Sequence, residues 1–201
     1  MARNVILENK SLTLTVGIKT LFRDKELSFP ESGFVLVKGE NGVGKSTLLK
    51  EIYLNAPDSQ KWVWPLGKKT IGYLGHELGL YSSLSLSENL LFAASLSNDS
   101  LNPDQIFEFT KYFQLNRRLM DPIYTFSRGM KQKAAIIRAL TTSPKILLLD
   151  EPYTGLDMDS TTLLTECLNQ ESQKKLIITV LHDVPSNLQI NETISLEQKK
   201  V

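Results

Sequence analysis

The stretch Gly39-Glu40-Asn41-Gly42-Val43-Gly44-Lys45-Ser46 fits the pattern G-x-x-x-x-G-K-[ST], and each residue type in it has a use in binding phosphate. Glycines at 39, 42 and 44 let the backbone turn so that its amides wrap an anion. Lys45 supplies a point charge for β and γ phosphates, and the Ser46 hydroxyl can ligate Mg²⁺. The flanks suit the task. Phe34-Val35-Leu36-Val37 reads as a buried strand, and Ser46 to Ile52 as the first turns of a helix whose positive dipole end faces the loop. The nucleotide-binding set therefore runs from Gly39 to Thr47, and the chain is expected to use a nucleoside triphosphate.

Further along, Ile146-Leu147-Leu148-Leu149 is an apolar strand ending in two carboxylates. Asp150 there can hold the Mg²⁺ shell, and Glu151 can polarise an attacking water. Upstream, Phe126-Ser127-Arg128-Gly129-Met130 places a Ser and a Gly at a helix start, an arrangement suited to an anion. Downstream, Thr154-Gly155-Leu156-Asp157 follows the carboxylates, and Leu181-His182-Asp183 ends the next apolar strand. His182 is thus expected on the same sheet edge.

The elements that must position these residues can be read from periodicity. Up to about Thr47 the chain reads as short strands, with Ser11 to Val16 alternating in polarity and Glu26 to Phe29 followed by Phe34 to Val37 across a Pro30/Gly33 turn. A helix from Ser46 to about Leu54 leads to Lys61-Trp62-Val63-Trp64, a Pro65-Leu66-Gly67 turn and Thr70 to Leu74, read as a hairpin or two short strands. The tryptophans are read as core or sheet-face residues. From Ser83 to about Leu140 the pattern is helical, with starts at Ser87-Glu88-Asn89, Pro103-Asp104 and Met130. Ile146 to Leu149, a helix near Ser160 to Glu171, and Leu176 to Leu181 then form a β-α-β unit with parallel strands, and Ile194 to Leu196 reads as a last strand. The expectation is one α/β domain over residues 1–201, with a mixed sheet, an antiparallel N-terminal part and a helical subdomain at about 80–140.

Composition narrows the partners. The 23 basic and 22 acidic side chains nearly cancel, so no footprint for nucleic acid or an anionic membrane surface is expected. Cys167 is the single cysteine, which excludes an internal disulfide framework and fits a reducing compartment. No apolar run approaches bilayer length, and the polar start Met1-Ala2-Arg3-Asn4 is not followed by a signal-peptide core. The chain is expected neither to be exported nor to be inserted, and to reach a membrane through a protein.

Taken in order, these motifs resemble the nucleotide-binding subunits of ATP-binding cassette (ABC) transporters over essentially the whole chain. Gly39 to Ser46 matches the Walker A loop, Phe126 to Met130 the signature loop, Ile146 to Glu151 the Walker B strand, Gly155 to Asp157 the D-loop and His182 the switch histidine. The resemblance implies an α/β P-loop ATPase using ATP and Mg²⁺, with Ser46 and Asp150 at the metal and Lys45, Glu151 and His182 catalytic. It implies a homodimer, or another paired ABC ATPase, in which Ser127, Arg128, Gly129 and Met130 of one copy close on the nucleotide of the other. It also implies integral membrane permease partners at the cytoplasmic face of the inner membrane. A small GTPase would need Asn-Lys-x-Asp, and the one Asn-Lys, at Asn9-Lys10, precedes the P-loop and lacks the Asp.

Three departures from the common ABC pattern bear on the branch. Arg128 stands where the first of two glycines is usual, and Met130 where Gln is common. Val16 falls where an aromatic residue normally stacks on adenine, with Phe22 read as core. His76, in Gly72-Tyr73-Leu74-Gly75-His76-Glu77-Leu78-Gly79-Leu80, takes the place of the glutamine that links Mg²⁺ to the transmembrane partner. That string, with Leu84 to Leu90 after it, resembles the ATPase subunits of the haem exporters of cytochrome c maturation. The signature is nearer to that of drug, antibiotic or polysaccharide exporters, which stand as the alternative. Soluble ABC proteins of DNA repair or the ribosome are disfavoured, because the chain has one cassette, no sustained heptads and no charge excess.

Overall fold

The computed structural model describes residues 4–57, 61–64, 70–96 and 103–197. The residues Met1 to Arg3 and the turn expected at Pro65-Leu66-Gly67 lie outside them. Five strands form the central sheet: β3 (Gly33–Lys38), β4 (Ile71–Leu74), β5 (Ile146–Asp150), β6 (Leu176–Val180) and β7 (Glu192–Ser195). Their order is β4-β5-β6-β3-β7, and every pairing is parallel. The three inner strands are near-continuous runs of Leu, Ile and Val, as a parallel sheet covered on both faces requires.

Successive residues feed two cores. Phe34, Leu36, Leu147, Leu149 and Ile177 join one cluster, and Val35, Val37, Ile146, Leu148 and Ile178 the other. A fully buried aliphatic side chain contributes roughly 1.5–3 kcal/mol, against about 1 kcal/mol for a net hydrogen bond. Packing on two faces therefore sets the register that later aligns the functional side chains.

The antiparallel part is a separate two-stranded sheet, β1 (Val5–Val16) with β2 (Lys19–Pro30). Its strands are much longer than the short segments read from sequence. Register shifts between Asn9 and Leu12 and between Leu12 and Leu14 break the period-two alternation, so only fragments of it are visible in the sequence. Leu7, Leu14, Leu27 and Phe29 of this hairpin pack with α1 (Lys45–Asn55) in the second cluster, and Phe22 is buried among them as expected. The reading of Lys61 to Leu74 as a hairpin is not met among the described residues. Val63 makes only an isolated antiparallel bridge to Glu8, while β4 pairs in parallel with β5 as the edge of the main sheet. Trp62 is buried, and the Trp64 indole donates to the Ala56 carbonyl at 2.8 Å.

Between β4 and β5 the chain forms α2 (Leu86–Leu96), α3 (Pro103–Tyr112) and α4 (Arg128–Thr141), with 3₁₀ turns at Asn116–Arg118 and Ile123–Thr125. The helix α2 begins at Leu86, one residue earlier than expected, behind a capping box formed by Ser85 and Glu88. The backbone and hydroxyl of Ser85 donate to Glu88 at 2.7 and 2.8 Å, and the Glu88 N–H returns to the Ser85 hydroxyl at 3.2 Å. Those bonds hold the Glu88 carboxyl below its usual pKa. A fifth helix, α5 (Met158–Glu171), links β5 to β6. Among the described residues no helix is long and apolar enough to cross a membrane.

Candidate active site

Because the strands are parallel, their carboxyl ends share one edge of the sheet, where open α/β sheets bind ligands. Val37 is in register with Val180, Val180 with Asp150, and Leu149 with Leu74. The four segments that leave this edge are the ones singled out above: Gly39 to Ser46 after β3, His76 after β4, Asp150-Glu151 at β5 and His182 after β6. Four sequence-remote motifs thus meet through strand pairing alone. They enclose a cleft of about 470 Å³, with Asn41, Gly42, Lys45 and Ser46 facing Asp150 and Glu151, and with Gly44, Thr47, His76 and His182 also on its wall.

Two glycines of the loop are held to glycine by a positive φ, and Gly39 also by a close backbone approach. At Gly39, with φ 152°, a Cβ would stand 2.6 Å from the Leu196 carbonyl oxygen, and at Gly44, with φ 108°, it would stand 2.6 Å from Leu21 Cδ1. Gly44 is the N-cap of α1 without a side-chain cap, so the first N–H groups of that helix are left for an anion. The Lys45 ammonium donates to the Gly39 and Glu40 carbonyls at 2.8 and 3.1 Å, which curls the loop around it. Glu40 therefore serves through its backbone. Val43 is 1% exposed and packs in the core, so it anchors the loop and does not face the cleft.

Across the cleft, Asp150 is 3% exposed and both of its carboxylate oxygens are buried without a hydrogen-bond partner. His76 Nε2 lies 3.6 Å from one of them, a charge neighbour beyond hydrogen-bond range. Glu151 adopts φ 52°, a left-handed conformation that costs a non-glycine residue about 1–3 kcal/mol and points to a constrained site. Its backbone N–H donates to the Val180 carbonyl at 3.0 Å, and its Oε2 accepts the His182 backbone N–H at 3.2 Å. Its Oε1 is buried without a hydrogen bond, with His182 Nε2 at 3.6 Å. Burying unsatisfied carboxylate oxygens is costly unless a ligand completes them. Ser46 and Asp150 supply an oxygen set across the cleft that could hold a divalent cation.

The segment Ser127 to Met130 does not join this wall. Ser127 is the N-cap of α4, its hydroxyl accepting the Met130 N–H at 3.2 Å, and Arg128 begins the helix. Gly129 abuts the turn after Glu151, where a Cβ would stand 3.0 Å from the Gly155 carbonyl oxygen. Asp157 likewise caps its own helix, α5, by accepting the Ser160 N–H at 2.8 Å, and hydrogen bonding from Ser160 holds its carboxyl below the usual pKa.

Sequence reading passed over the side chains that brace the site. Buried Gln132 donates to the Pro152 carbonyl at 2.9 Å and fixes the turn that carries Glu151. Thr179 Oγ1 donates to the Leu149 carbonyl at 3.0 Å beneath Asp150. The Arg138 guanidinium donates to the Tyr73 carbonyl at 2.9 Å, and Tyr73 stacks on Tyr53 with ring centroids 4.7 Å apart. Burial, then the nearby Asp150 charge and Tyr53, raise the Tyr73 phenol above its usual pKa. A polar residue on the buried stripe of an amphipathic helix, as Gln132 is in α4, was the one visible signal.

With this geometry in place, the comparisons with known proteins are specific. The ABC transporter family matches residues 22–154. The cytochrome c biogenesis ATP-binding export protein CcmA 2 of Cupriavidus metallidurans is 32% identical over 83% of this chain and 86% of its own length. The ABC transporter ATP-binding protein NatA of Bacillus subtilis is 34% identical over 80% of this chain and 71% of its own. Among solved structures, a dimeric ATP-binding cassette in a post-hydrolysis state, bound to ADP and Pi, has 25% identity and a TM-score of 0.76 over 96% of this chain and 94% of that one. This chain therefore belongs to the ABC transporter family, as one of its ATP-binding and ATP-hydrolysing subunits.

Proposed function

We propose that the chain is a Mg²⁺-dependent ATPase that works as a head-to-tail pair on an integral membrane permease, in a haem-export or cytochrome c biogenesis system. The observation that carries the catalytic part is the pair of adjacent carboxylates, Asp150 and Glu151, whose inward oxygens lack partners and face a P-loop across one cleft. Asp150 and Ser46 fit Mg²⁺, which typically takes one or two protein oxygens and fills its octahedron with phosphate and water. The chemistry Mg²⁺ supplies when bound is neutralisation of charge on the β and γ phosphates. The amides of Gly42 to Thr47 hold the phosphates and Lys45 shifts its ammonium from the loop carbonyls toward them. Glu151 orients the water that attacks the γ-phosphorus, and His182 faces the phosphate oxygens. His76, at the mouth between Asp150 and solvent, stands where a partner-linked glutamine would.

Residues 1–201 are read as one nucleotide-binding domain with a helical subdomain at about 80–140. The permease is assigned to a second cleft of about 370 Å³, walled by Tyr53 and Tyr73 from one side and by Tyr81, Phe92, Leu96 and Arg138 from the other. Four of these apolar side chains are more than a third exposed, as a docking surface requires. The complex would sit peripherally at the cytoplasmic face of the inner membrane, with no nucleic acid partner. Where the base would lie, the hairpin tip offers Val16, 52% exposed, and no aromatic ring. Val16→Tyr is expected to tighten ATP binding, since base-aromatic stacking contributes about 1–3 kcal/mol, roughly 5- to 150-fold in Kd. Titration with a fluorescent ATP analogue measures it, and an unchanged Kd would remove the base from the hairpin tip.

The haem branch is supported by His76 in its loop and by similarity to a cytochrome c biogenesis protein. Deleting the gene is expected to leave c-type cytochromes without covalent haem while b-type cytochromes stay normal, read on haem-stained gels. The signature Ser127-Arg128-Gly129-Met130 and the similarity to NatA favour a second reading, another exporter. Normal covalent cytochrome c in the deletion strain, with no second copy of the gene, selects that reading and leaves the ATPase assignment in place.

A further inference from the structure

The hairpin β1–β2 gives the P-loop cleft three wall residues, Val16, Lys19 and Leu21, of which Lys19 is the polar one. Val16 and Lys19 are directly opposed in the antiparallel register, so their side chains stand on the same face. Leu21 fixes where that face lies. The pairing steps from Thr20 to Phe22 opposite Thr15 and Leu14, which leaves Leu21 as a bulge residue and turns it to the loop. It is 8% exposed, and its Cδ1 is 2.6 Å from where a Gly44 Cβ would stand. Lys19 is two residues nearer the hairpin tip, beside the exposed Val16. A nucleotide whose phosphates occupy the loop would extend its ribose and base along this wall.

The Lys19 ammonium is an unspent donor. It is exposed and has no hydrogen bond or ion pair with any described residue. The phosphates do not need it, since Lys45 and the uncapped N–H groups of α1 already face them. Asp150 and Glu151 stand at the strand ends, where their charge neighbours are His76 and His182. Among the described residues that wall this cleft there is no Phe, Tyr or Trp, so the base meets an aliphatic surface and one ammonium.

Purine bases differ in what they offer such a group. An ammonium donates hydrogen bonds and cannot accept them. Guanine presents two adjacent acceptors, O6 and N7, whereas adenine sets an N6 amino donor beside its N7 acceptor. The hairpin wall therefore carries nothing that selects adenine and one group that suits guanine.

We propose that the chain is also a GTPase, with Lys19 reading the base by donating to guanine O6 and N7. The reading rests on the placement of the base at the hairpin tip put forward above. Hydrolysis follows the same course for either nucleotide. The water oxygen bonds to the γ-phosphorus, the bond from that phosphorus to the β–γ bridging oxygen breaks, and the nucleoside diphosphate leaves with the electron pair. One water proton stays on the released phosphate, and the other leaves through the Glu151 carboxylate to solvent.

The test uses the full-length protein and its Lys19→Ala, Lys19→Glu and Val16→Tyr variants. Calorimetry gives Kd for the β,γ-imido analogues of ATP, GTP and inosine triphosphate, and phosphate release gives kcat/KM for the triphosphates. Wild type is expected to bind the GTP analogue about 5-fold more tightly than the ATP analogue, the lower end for a two-acceptor base contact because Lys19 is exposed. The inosine nucleotide, which keeps O6 and N7 and lacks the 2-amino group, should follow GTP. Lys19→Ala should abolish the preference. Lys19→Glu should invert it, because a carboxylate accepts from the adenine amino group and repels O6. A GTP kcat/KM below about a tenth of the ATP value, a loss of more than the contact supplies, overturns the proposal. Equal losses for both nucleotides in Lys19→Ala overturn it too and assign the ammonium to ribose or phosphate. An inosine nucleotide that tracks ATP likewise overturns the reading of O6. Val16→Tyr separates the two levels: an unchanged Kd for both nucleotides refutes the base placement itself. Tighter binding there, with no effect of Lys19→Glu on the ratio, refutes only the role of Lys19.

Discussion

Glu151→Gln is expected to bind ATP as wild type does and to lose turnover by about 10²–10⁴-fold, the usual contribution of a positioned general base. The substitution is isosteric, so it preserves what holds this residue. The amide oxygen can still accept the His182 N–H now bonded to Oε2, and the backbone bond to Val180 is untouched. The φ of 52° is no more strained for Gln than for Glu. What disappears is the negative charge on Oε1, the buried oxygen that has no partner in the free chain and would order the attacking water. Binding depends on Lys45 and the loop amides across the cleft and should survive. The nucleotide-loaded form should then accumulate as a dimer, visible by size exclusion with ATP and absent with ADP. Hydrolysis within a few-fold of wild type would remove Glu151 from the catalytic role, and lost ATP binding with an unchanged Tm would place it in the phosphate site.

Gly129→Asp should separate binding from pairing in the opposite way. A Cβ at 129 approaches the Gly155 carbonyl oxygen to 3.0 Å, so even alanine asks the adjoining turn to yield by a few tenths of an ångström. Gly129→Ala is therefore the steric control. Aspartate adds a charge that would meet the partner's polyphosphate. Like charges about 4 Å apart at an effective dielectric near 20 repel by about 4 kcal/mol, roughly a 10³-fold loss of ATP-dependent dimerisation in the Glu151→Gln background. Residue 129 is not on the P-loop cleft wall, so ATP affinity of the monomer should not change. Monomer binding lost together with dimerisation, in a folded protein, would be fatal to the trans arrangement. Equal losses for alanine and aspartate would assign the effect to sterics at Gly155.

Much of this chain could be read locally, and the reason is that its chemistry is written in short segments. Gly39 to Ser46 must be glycine-rich wherever it folds, because its backbone has to approach an anion, and the Leu/Ile/Val runs of β3, β5 and β6 announce strands buried on two faces. The helices α4 and α5 began within a few residues of their expected starts, since Ser127 and Asp157 are capping residue types. The hairpin β1–β2 was only partly legible because its bulges interrupt alternation, and the segment of β4 stayed open between a hairpin and a short strand because four residues carry no mark of which strand they will join. Residue types and motif order were thus determined by the sequence alone, down to Lys45, Asp150, Glu151 and His182 as candidates. Only the tertiary structure decided that Val43 turns into the core, that Ser127 and Asp157 spend their side chains as helix caps, and that Gln132 braces the Glu151 turn. Those outcomes depend on which neighbours burial and strand register bring within hydrogen-bond reach, and a linear spacing does not encode that proximity.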